Sequence, residues 1–387
     1  MEDGEEARRL SRASDTTQIK GRLVSLDVFR GATIAAMLLV NNPGSWDAVY
    51  PPLLHAEWHG WTFTDVIFPF FLWIVGVAMT LSFASRVARG GDHSRILLHV
   101  IRRATVIFAL GLFLAGFPYF NLVTIRIPGV LQRIAVCYLI ASIIYLRSRV
   151  RGQILWTGGL LGVYWLLMKW VPAPGYGAGS LEKIGNFAQY VDNIVLSGHM
   201  WSQSKVWDPE GIVSTLPAIA TTLFGVLTGH ILRLRVSPAE KTTWMFVQGS
   251  ALMFLGQVMN LWLPINKSLW TSSYSVFMAG LAATVFAFCY WIVDIRGYKR
   301  WMQPFVHYGM NAIAVFVMAG LLAKSMGLIE LAAADGARIS LSAWIFQNIY
   351  APLAAPCSAS LMYAITFVLL FWGISFWMYR RKIFLKV

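Results

Sequence analysis

Long apolar runs separated by short polar segments set the pattern of this chain. Ten of these runs approach the roughly 20 residues that an α-helix needs to cross a bilayer. They cover residues 24–42, 62–84, 104–120, 127–146, 153–171, 211–232, 242–263, 272–294, 304–323 and 358–379. The pattern therefore predicts an all-α polytopic membrane protein, a helical bundle of about ten transmembrane helices.

A further apolar run at 340–355 is shorter than the others, and Pro352 and Pro356 break it. Because proline removes a backbone donor and interrupts helices, we predict a re-entrant or interfacial helix there. The polar residues 1–21 are expected to form a cytoplasmic tail without a cleavable signal peptide. Residues 22–387 then form a single transmembrane domain, whose longest extracytoplasmic loop is 172–210.

The distribution of lysine and arginine predicts the orientation. With a cytoplasmic N-terminus, the inner segments hold 23 of the 32 basic residues and the outer segments hold seven. Positive charge accumulates on the cytoplasmic side of membrane proteins, so both termini are predicted to be cytoplasmic. This bias also accounts for the net charge of +14, and no nucleic-acid partner is needed to explain it.

The polar segment 54–65 lies between the first two spans and carries candidate chemistry. His55 is suited to general-base catalysis, because an imidazole titrates near neutral pH. Asp65 at the head of the second span could orient it, and Asn41 at the end of the first could donate to an oxyanion. An interfacial histidine, a helix-capping carboxylate and a capping amide are the structural alternatives.

A metal site is the less favoured interpretation of the same segment. His55, Glu57 and His59 stand two residues apart, a spacing that places side chains on one face only in a strand. The HExxH signature of zinc enzymes is absent, and we expect no metal.

Charged residues inside spans are the second candidate feature. Asp27 and Arg30 can pair on one face of the first helix, three residues apart. Arg133 lies deeper in the fourth span, where it needs an anionic partner, either an aspartate or a ligand phosphate.

Two weaker patterns concern a sugar ligand and a second subunit. The loop 172–210 is rich in glycine, aromatic, amide and acidic residues, which suit sugar rings but also occur in interfacial aromatic belts. Gly225 and Gly229 form a GxxxG motif, which packs helices within one chain or between subunits. A homodimer is therefore one of two alternatives.

A series of motifs keeps its order and rough spacing from Arg22 to the end of the sequence. They are Ser25-Leu26-Asp27-Val28-Phe29-Arg30-Gly31, Val40-Asn41, His55-Ala56, 58–65 with Phe68-Pro69, Arg126-Ile127-Pro128-Gly129-Val130-Leu131-Gln132-Arg133, Asp208-Pro209-Glu210-Gly211, Asn266-Lys267, Leu269-Trp270, Gly309-Met310-Asn311 and Tyr379-Arg380-Arg381-Lys382-Ile383-Phe384. In these motifs the sequence resembles the heparan-α-glucosaminide N-acetyltransferase family.

The resemblance implies an acyltransferase domain that uses acetyl-CoA as co-substrate. It assigns His55, with Asp65 and Asn41, to catalysis. The candidates for contact with acetyl-CoA are Asp27, Arg30, Gln132 and Arg133. The candidates for contact with the acceptor are Trp58, Asp208, Glu210, Asn266, Lys267 and Trp270.

The resemblance further implies transfer across the membrane. Acetyl-CoA is taken from the cytoplasm, and the amine of a glucosamine-type sugar, free or terminal in a glycan, is acetylated on the extracytoplasmic face. A bacterial inner membrane is the expected location, because the luminal part of the lysosomal members is missing. Direct transfer and an acetyl-histidine intermediate both require His55. The alternative function is an amino-sugar transporter or permease.

Overall fold

The computed structural model describes residues 23–88, 90, 92–332 and 337–385, so the predicted tail at 1–21 lies outside the described residues. Helices dominate this part of the chain. They are α1 (Val24–Asn41), α2 (Phe63–Ala88), α3 (His93–Gly116), α4 (Val130–Arg147), α5 (Val150–Trp170), α6 (Phe187–Val195), α7 (Thr215–Leu232), α8 (Pro238–Asn260), α9 (Ser272–Tyr290), α10 (Gln303–Met310), α11 (Ala312–Leu328), α12 (Leu341–Ile345) and α13 (Pro356–Arg380).

Short elements fill some of the connections. A 3₁₀ turn covers Pro51–Leu53, and antiparallel strands β1 (Glu330–Ala332) and β2 (Arg338–Ser340) form a small hairpin. A π turn at Trp291–Ile295 extends α9, and another at Phe346–Tyr350 extends α12. The run 340–355 thus forms a helix too short to cross a bilayer, as its proline residues predict.

Seven of the described helices are long and apolar enough to cross a membrane, namely α1, α2, α3, α4, α7, α9 with its π turn, and α13. Together α10 and α11 form an eighth candidate that is bent by 81°. The 21-residue α5 and the 23-residue α8 lie at the two remaining predicted positions. A polytopic helical membrane protein is confirmed, while the number of ten spans and their orientation stay predictions.

Close packing of α2 against α7 forms the centre of the bundle. A Cβ atom added at Gly225 would lie 2.0 Å from the carbonyl oxygen of Trp73, and one at Gly76 would lie 2.0 Å from that of Thr222. Glycine is required at such contacts because it lets two backbones approach. The GxxxG motif of Gly225 and Gly229 therefore packs within this chain, and the alternative of an interface between subunits is wrong for these two residues.

A second close contact joins α1 to α10. Added Cβ atoms at Gly31 and Gly309 would lie 1.7 Å from Phe305 O and 2.1 Å from Asp27 O, respectively. Directly after this contact the helical direction breaks at Asn311, and α11 departs at 81° from α10. The break places the end of α10 and the start of α11 beside a cavity between the helices.

Candidate active site

We use outer end for the end of the bundle that holds segment 54–65, and inner end for the opposite one. Segment 54–65 is fixed there by the loop that follows α8. The Gly60 amide donates to the Ile265 carbonyl over 2.7 Å. Gly60 has φ of +97°, a conformation that residues with a Cβ rarely adopt. This contact brings together two stretches that are far apart in sequence.

Asp65, in the first turn of α2, organises the outer end. Its side chain is 1% exposed. One carboxylate oxygen accepts a hydrogen bond from His55 Nδ1 over 2.7 Å. The other accepts from the backbone amides of Ala56 and Thr62, each over 3.0 Å. A buried carboxylate is stable when it is paired and hydrogen-bonded in this way.

His55 is held in one tautomer by this arrangement. Because Nδ1–H donates to the carboxylate, the lone pair of the neutral ring lies on Nε2. The side chain is 52% exposed, so a solute can reach it. The predicted pairing of His55 with Asp65 is therefore present in the structure.

Lys267 completes the charged group around the imidazole. Its Nζ lies 3.1 Å from His55 Nε2, 3.2 Å from His55 Nδ1 and 3.9 Å from an Asp65 oxygen. Burial lowers the pKa of Lys267, and the Asp65 carboxylate acts against that shift. The sequence predicted an acceptor contact for this residue. The structure places its ammonium group beside His55 Nε2, where a cation can stabilise nearby negative charge.

Asn266 supports this site from beneath, because its side chain has no exposed surface. Its side-chain oxygen accepts from the Leu269 amide over 2.8 Å, and its carbonyl accepts from the Thr271 amide over 3.1 Å. These bonds close the turn that presents Lys267. Direct contact of Asn266 with a sugar does not fit its burial, which corrects the sequence prediction.

Trp270 is also fully buried. Its ring packs edge-on against Phe68 at a centroid distance of 5.0 Å, and the Arg133 guanidinium lies 5.1 Å from the ring centre. Such packing stabilises the interior of the bundle. The sequence prediction that Trp270 contacts the acceptor therefore needs the same correction.

Arg133 finds its partners in the backbone that precedes α7. It donates to the carbonyl groups of Pro209 and Gly211, each over 3.0 Å, and to the Ser214 hydroxyl. The residue is 2% exposed. Its hydrogen-bond partners are neutral, while three carboxylates lie near enough to interact with its charge, those of Asp192, Asp208 and Glu210. Arg133 does not line the cavity that Arg30 lines.

Arg126 forms an ion-pair cluster close to the same turn. It donates from Nε to Asp208 over 2.9 Å and from its terminal nitrogen to both Asp208 and Glu210. Burial works against the charge on Arg126, but these carboxylates outweigh burial and raise its pKa. Asp208 also accepts from the Trp201 amide over 2.8 Å. The Asp208 carboxylate is thus bound by protein groups, and it stabilises this turn.

Trp58 connects the segment that contains His55 to the loop 172–210. Its indole nitrogen donates to the Leu181 carbonyl over 2.8 Å, and its ring lies 5.3 Å from that of Trp207. Trp207 lies in turn 5.8 Å from Trp201. These partly exposed rings border the site. The predicted Asn41 is exposed at the end of α1, and no hydrogen bond joins it to His55 among the residues described.

A basic cavity of about 530 Å³ occupies the inner end. Arg30, Arg86 and Arg103 line it together with Asp27 and His99. Arg30 donates to Asp27 over 3.3 Å, so Asp27 offsets part of the positive charge. Arg86 and Arg103 were not predicted as ligand-binding residues, because in the sequence they belong to the general positive charge of the inner face.

A narrow apolar gap continues from this cavity toward the outer end. The gap has a volume of about 20 Å³ and shares Phe71, Ile134 and Ile313 with the inner cavity. It shares Val130, Leu131 and Phe316 with an outer cavity of about 540 Å³. Gln132 and Arg126 line that outer cavity. Gln132 was predicted to contact acetyl-CoA together with Arg30, but it lines a different cavity from Arg30.

Comparisons with known proteins identify the family of this chain. A family model described as heparan-alpha-glucosaminide N-acetyltransferase, catalytic, matches residues 22–258. The human heparan-alpha-glucosaminide N-acetyltransferase is 29% identical over 351 residues, which cover 76% of this chain and 52% of the human protein. The mouse protein of that name is 27% identical over 76% of this chain and 53% of its own length. This chain thus spans about half the length of these relatives, and it belongs to the heparan-α-glucosaminide N-acetyltransferase family.

Proposed function

We propose that this protein is a transmembrane N-acetyltransferase. It transfers the acetyl group of cytoplasmic acetyl-CoA to the amine of a glucosamine-type sugar on the extracytoplasmic face. The observation that carries this proposal is the hydrogen-bonded His55–Asp65 pair at the opposite end of the bundle from an arginine-lined cavity. Membership of an acetyltransferase family supports the reaction class.

The inner cavity suits the phosphates of acetyl-CoA. Arg30, Arg86 and Arg103 offer guanidinium groups, which bind phosphate oxygens with charge-assisted hydrogen bonds. The thioester arm would extend through the apolar gap toward the outer end. Since the gap holds only about 20 Å³, α11 or its neighbours must move apart when the arm enters.

His55 is the proposed base at the outer end. Its Nε2 takes a proton from the ammonium group of the sugar, and the freed amine attacks the thioester carbonyl carbon. The new C–N bond forms as the C–S bond breaks, and the CoA thiolate takes up a proton. Asp65 stabilises the imidazolium that forms.

An acetyl-histidine route uses the same atoms in two steps. Nε2 of His55 attacks the thioester carbon and releases CoA, and the sugar amine then displaces the imidazole to form the amide. On either route negative charge develops on the carbonyl oxygen. The Lys267 ammonium group is positioned to stabilise that charge.

The partly exposed surface next to His55 is the proposed acceptor site. Trp58 and Trp207 offer apolar ring surfaces to a pyranose. A sugar ring, with an apolar face and polar groups at its edge, fits these aromatic side chains.

The proposed topology has ten spans with both termini cytoplasmic, in a bacterial inner membrane. Single cysteines at the exposed positions Ser202 and Tyr298, in a cysteine-free background, would test it. An impermeant thiol reagent applied to intact cells should label Ser202→Cys and spare Tyr298→Cys. The reverse pattern would contradict the orientation.

The reaction itself is tested with purified protein, acetyl-CoA and glucosamine. Release of free thiol that depends on the sugar, together with an N-acetylated product, supports the enzyme. Uptake of the sugar into sealed vesicles without acetyl-CoA would instead support the transporter. The proton-handling groups lie at the outer end, whereas transporter sites usually lie near the midplane of the membrane.

A further inference from the structure

Two motifs that the proposed reaction does not use meet at the inner end. They are Gly309-Met310-Asn311, at the break between α10 and α11, and the segment that follows α13. The Asn311 side chain donates to the Ile383 carbonyl over 3.0 Å and accepts from the Leu385 amide over 2.9 Å. Asn311 is 1% exposed, so the side chain that holds residues 383–385 is itself shielded from water.

The segment 381–385 has a defined path. Lys382 has φ of +56°, and the amides of Lys382 and Ile383 donate back to Tyr379 and Met378 over 3.0 and 2.9 Å. Paired bonds of this kind close a helix and turn the chain back on itself. The Phe384 ring lies 6.3 Å from the Tyr379 ring. The segment is thereby directed to the inner cavity.

Phe384 and Leu385 form part of the cavity wall. Arg30 lies next to this clamp, because it donates to the carbonyl of Gly309, two residues before Asn311, over 3.2 Å. Arg30 also lines the cavity, whereas Ile34, one helical turn further along α1, lines the apolar gap. The segment therefore lies at the end of the cavity that is remote from the gap.

We infer that residues 381–385 belong to the binding site for acetyl-CoA and contact its nucleotide end. This inference rests on the proposed function. If the thioester reaches the gap, the adenosine and its phosphates remain at the remote end of the cavity, beside Arg30 and Phe384. Phe384 offers an aromatic ring to the base, and the exposed Arg381 and Lys382 add positive charge. Asn311 is a positioning residue that acts through the segment.

The test compares two acetyl donors. Acetyl-CoA carries the nucleotide and S-acetylpantetheine lacks it, while both present the same thioester. Phe384→Ala should raise KM for acetyl-CoA by about tenfold, the factor that corresponds to about 1.4 kcal/mol. Its kinetics with S-acetylpantetheine should equal those of the wild type. Phe384→Trp should restore KM, and Asn311→Ala should reproduce the donor-selective loss.

Trp301→Ala is the matched control, because this aromatic residue is exposed in the inner loop before α10 and does not line the cavity. It should leave KM for both donors unchanged. Equal losses with the two donors in Phe384→Ala would mean a general structural effect and would overturn the inference, as would no change with either.

Binding of desulfo-CoA separates this inference from the proposed function. Binding by the wild type with weaker binding by Phe384→Ala supports the inference whatever the acceptor is. Equal binding by the two proteins overturns it and leaves the proposed function intact. A wild type that does not bind desulfo-CoA would overturn both.

Discussion

The two ends of this bundle differ in their balance of acidic and basic side chains. At the outer end, Asp65 is surrounded by His55 and Lys267, and Arg126 is surrounded by Asp208 and Glu210. At the inner end, the described lining of the cavity includes Arg30, Arg86 and Arg103 against the one acid Asp27. The outer charges are balanced by protein groups, whereas arginine outnumbers acidic residues in the described lining of the inner cavity.

In the proposed function, this difference separates proton chemistry from ligand recognition. A balanced cluster fixes the orientation of its members and leaves little net field, which suits a proton acceptor that must cycle between two charge states. An unbalanced basic cavity attracts a polyanion and holds it. Substitutions at the outer end should therefore change the turnover rate, and those at the inner end should change affinity for acetyl-CoA.

The largest expected effect comes from His55→Ala. Removal of a general base costs on the order of 10²–10⁴ in rate, so acetyl transfer should fall by at least about a hundredfold. Binding of desulfo-CoA should be unchanged, because the inner cavity is not altered. Steady-state assays and calorimetry measure the two quantities separately.

His59→Ala is the control for that experiment. His59 is exposed, and its Nδ1 lies 3.3 Å from the Asn266 amide nitrogen instead of near Asp65. This variant should stay active. Full transfer activity in a folded His55→Ala protein would rule out both proposed routes.

Lys267→Met should lower kcat by about a hundredfold, the lower end of the effect of removing one donor to an oxyanion. Because burial lowers the pKa of Lys267, the wild-type rate should decline with rising pH before an ordinary lysine would titrate. Lys267→Arg keeps its charge throughout this range and should lack that decline. A pH–rate profile for each protein tests this, and identical alkaline limbs in wild type and Lys267→Arg would contradict it.

At the inner end, Arg86→Gln and Arg103→Gln should each raise KM for acetyl-CoA by about tenfold, because hydrogen bonds to charged groups contribute about 1.5–3 kcal/mol. Neither substitution should affect S-acetylpantetheine. Arg102→Gln is the matched control, since Arg102 is an exposed neighbour outside the cavity lining. A loss in Arg102→Gln as large as in Arg103→Gln would indicate a diffuse surface effect.

Arg133→Gln tests which end Arg133 belongs to, because Arg133 and Arg30 were both predicted from the sequence to contact acetyl-CoA. Because Arg133 donates hydrogen bonds to the carbonyl groups of Pro209 and Gly211, we expect this substitution to lower stability instead of affinity for acetyl-CoA. Buried acceptors left without donors cost about 1–3 kcal/mol each, so thermal stability should fall by several degrees while KM for acetyl-CoA stays constant. Weaker binding of acetyl-CoA at unchanged stability would show that phosphates reach Arg133.

The smallest expected effect concerns Asp192 in α6. Burial raises its pKa to about 7, against the hydrogen bond from the Ile212 amide. The folded protein then binds a proton that the unfolded chain, with a pKa of about 3.9, has released. Stability is therefore lost as pH rises through about 7. Asp192→Asn should raise the melting temperature at pH ~8 by a few degrees and leave it unchanged at pH ~4. Equal shifts at both values would contradict the assignment.

Sequence reasoning succeeded where the relevant residues are neighbours in the chain. His55 and Asp65 are ten positions apart, and a polar loop leading into a helix brings them together. The apolar runs located the helices for the same reason, since hydropathy is a local property. Lys267 is 212 positions from His55. Its place beside the imidazole depends on the pairing of Gly60 with Ile265, which has no local signal.

Other residues were assigned incompletely from the sequence, because the same sequence pattern can have two physical causes. Arg86 and Arg103 follow the rule for positive inner charge, and that rule concealed their place in the wall of one cavity. Asn266 and Trp270 belong to motifs, but a motif does not distinguish a buried support from a surface contact. Packing decides between these alternatives, and it requires coordinates.

The apolar gap between the two cavities has a consequence for cell energetics. Its wall consists of hydrophobic side chains: Ile34, Met37, Ile67, Phe68, Phe71, Val130, Leu131, Ile134, Ile313 and Phe316. A constriction of this kind excludes water and hydrated ions. In the proposed function, the protein would insulate the membrane between turnovers, so that acetyl groups would cross it without dissipation of the proton-motive force.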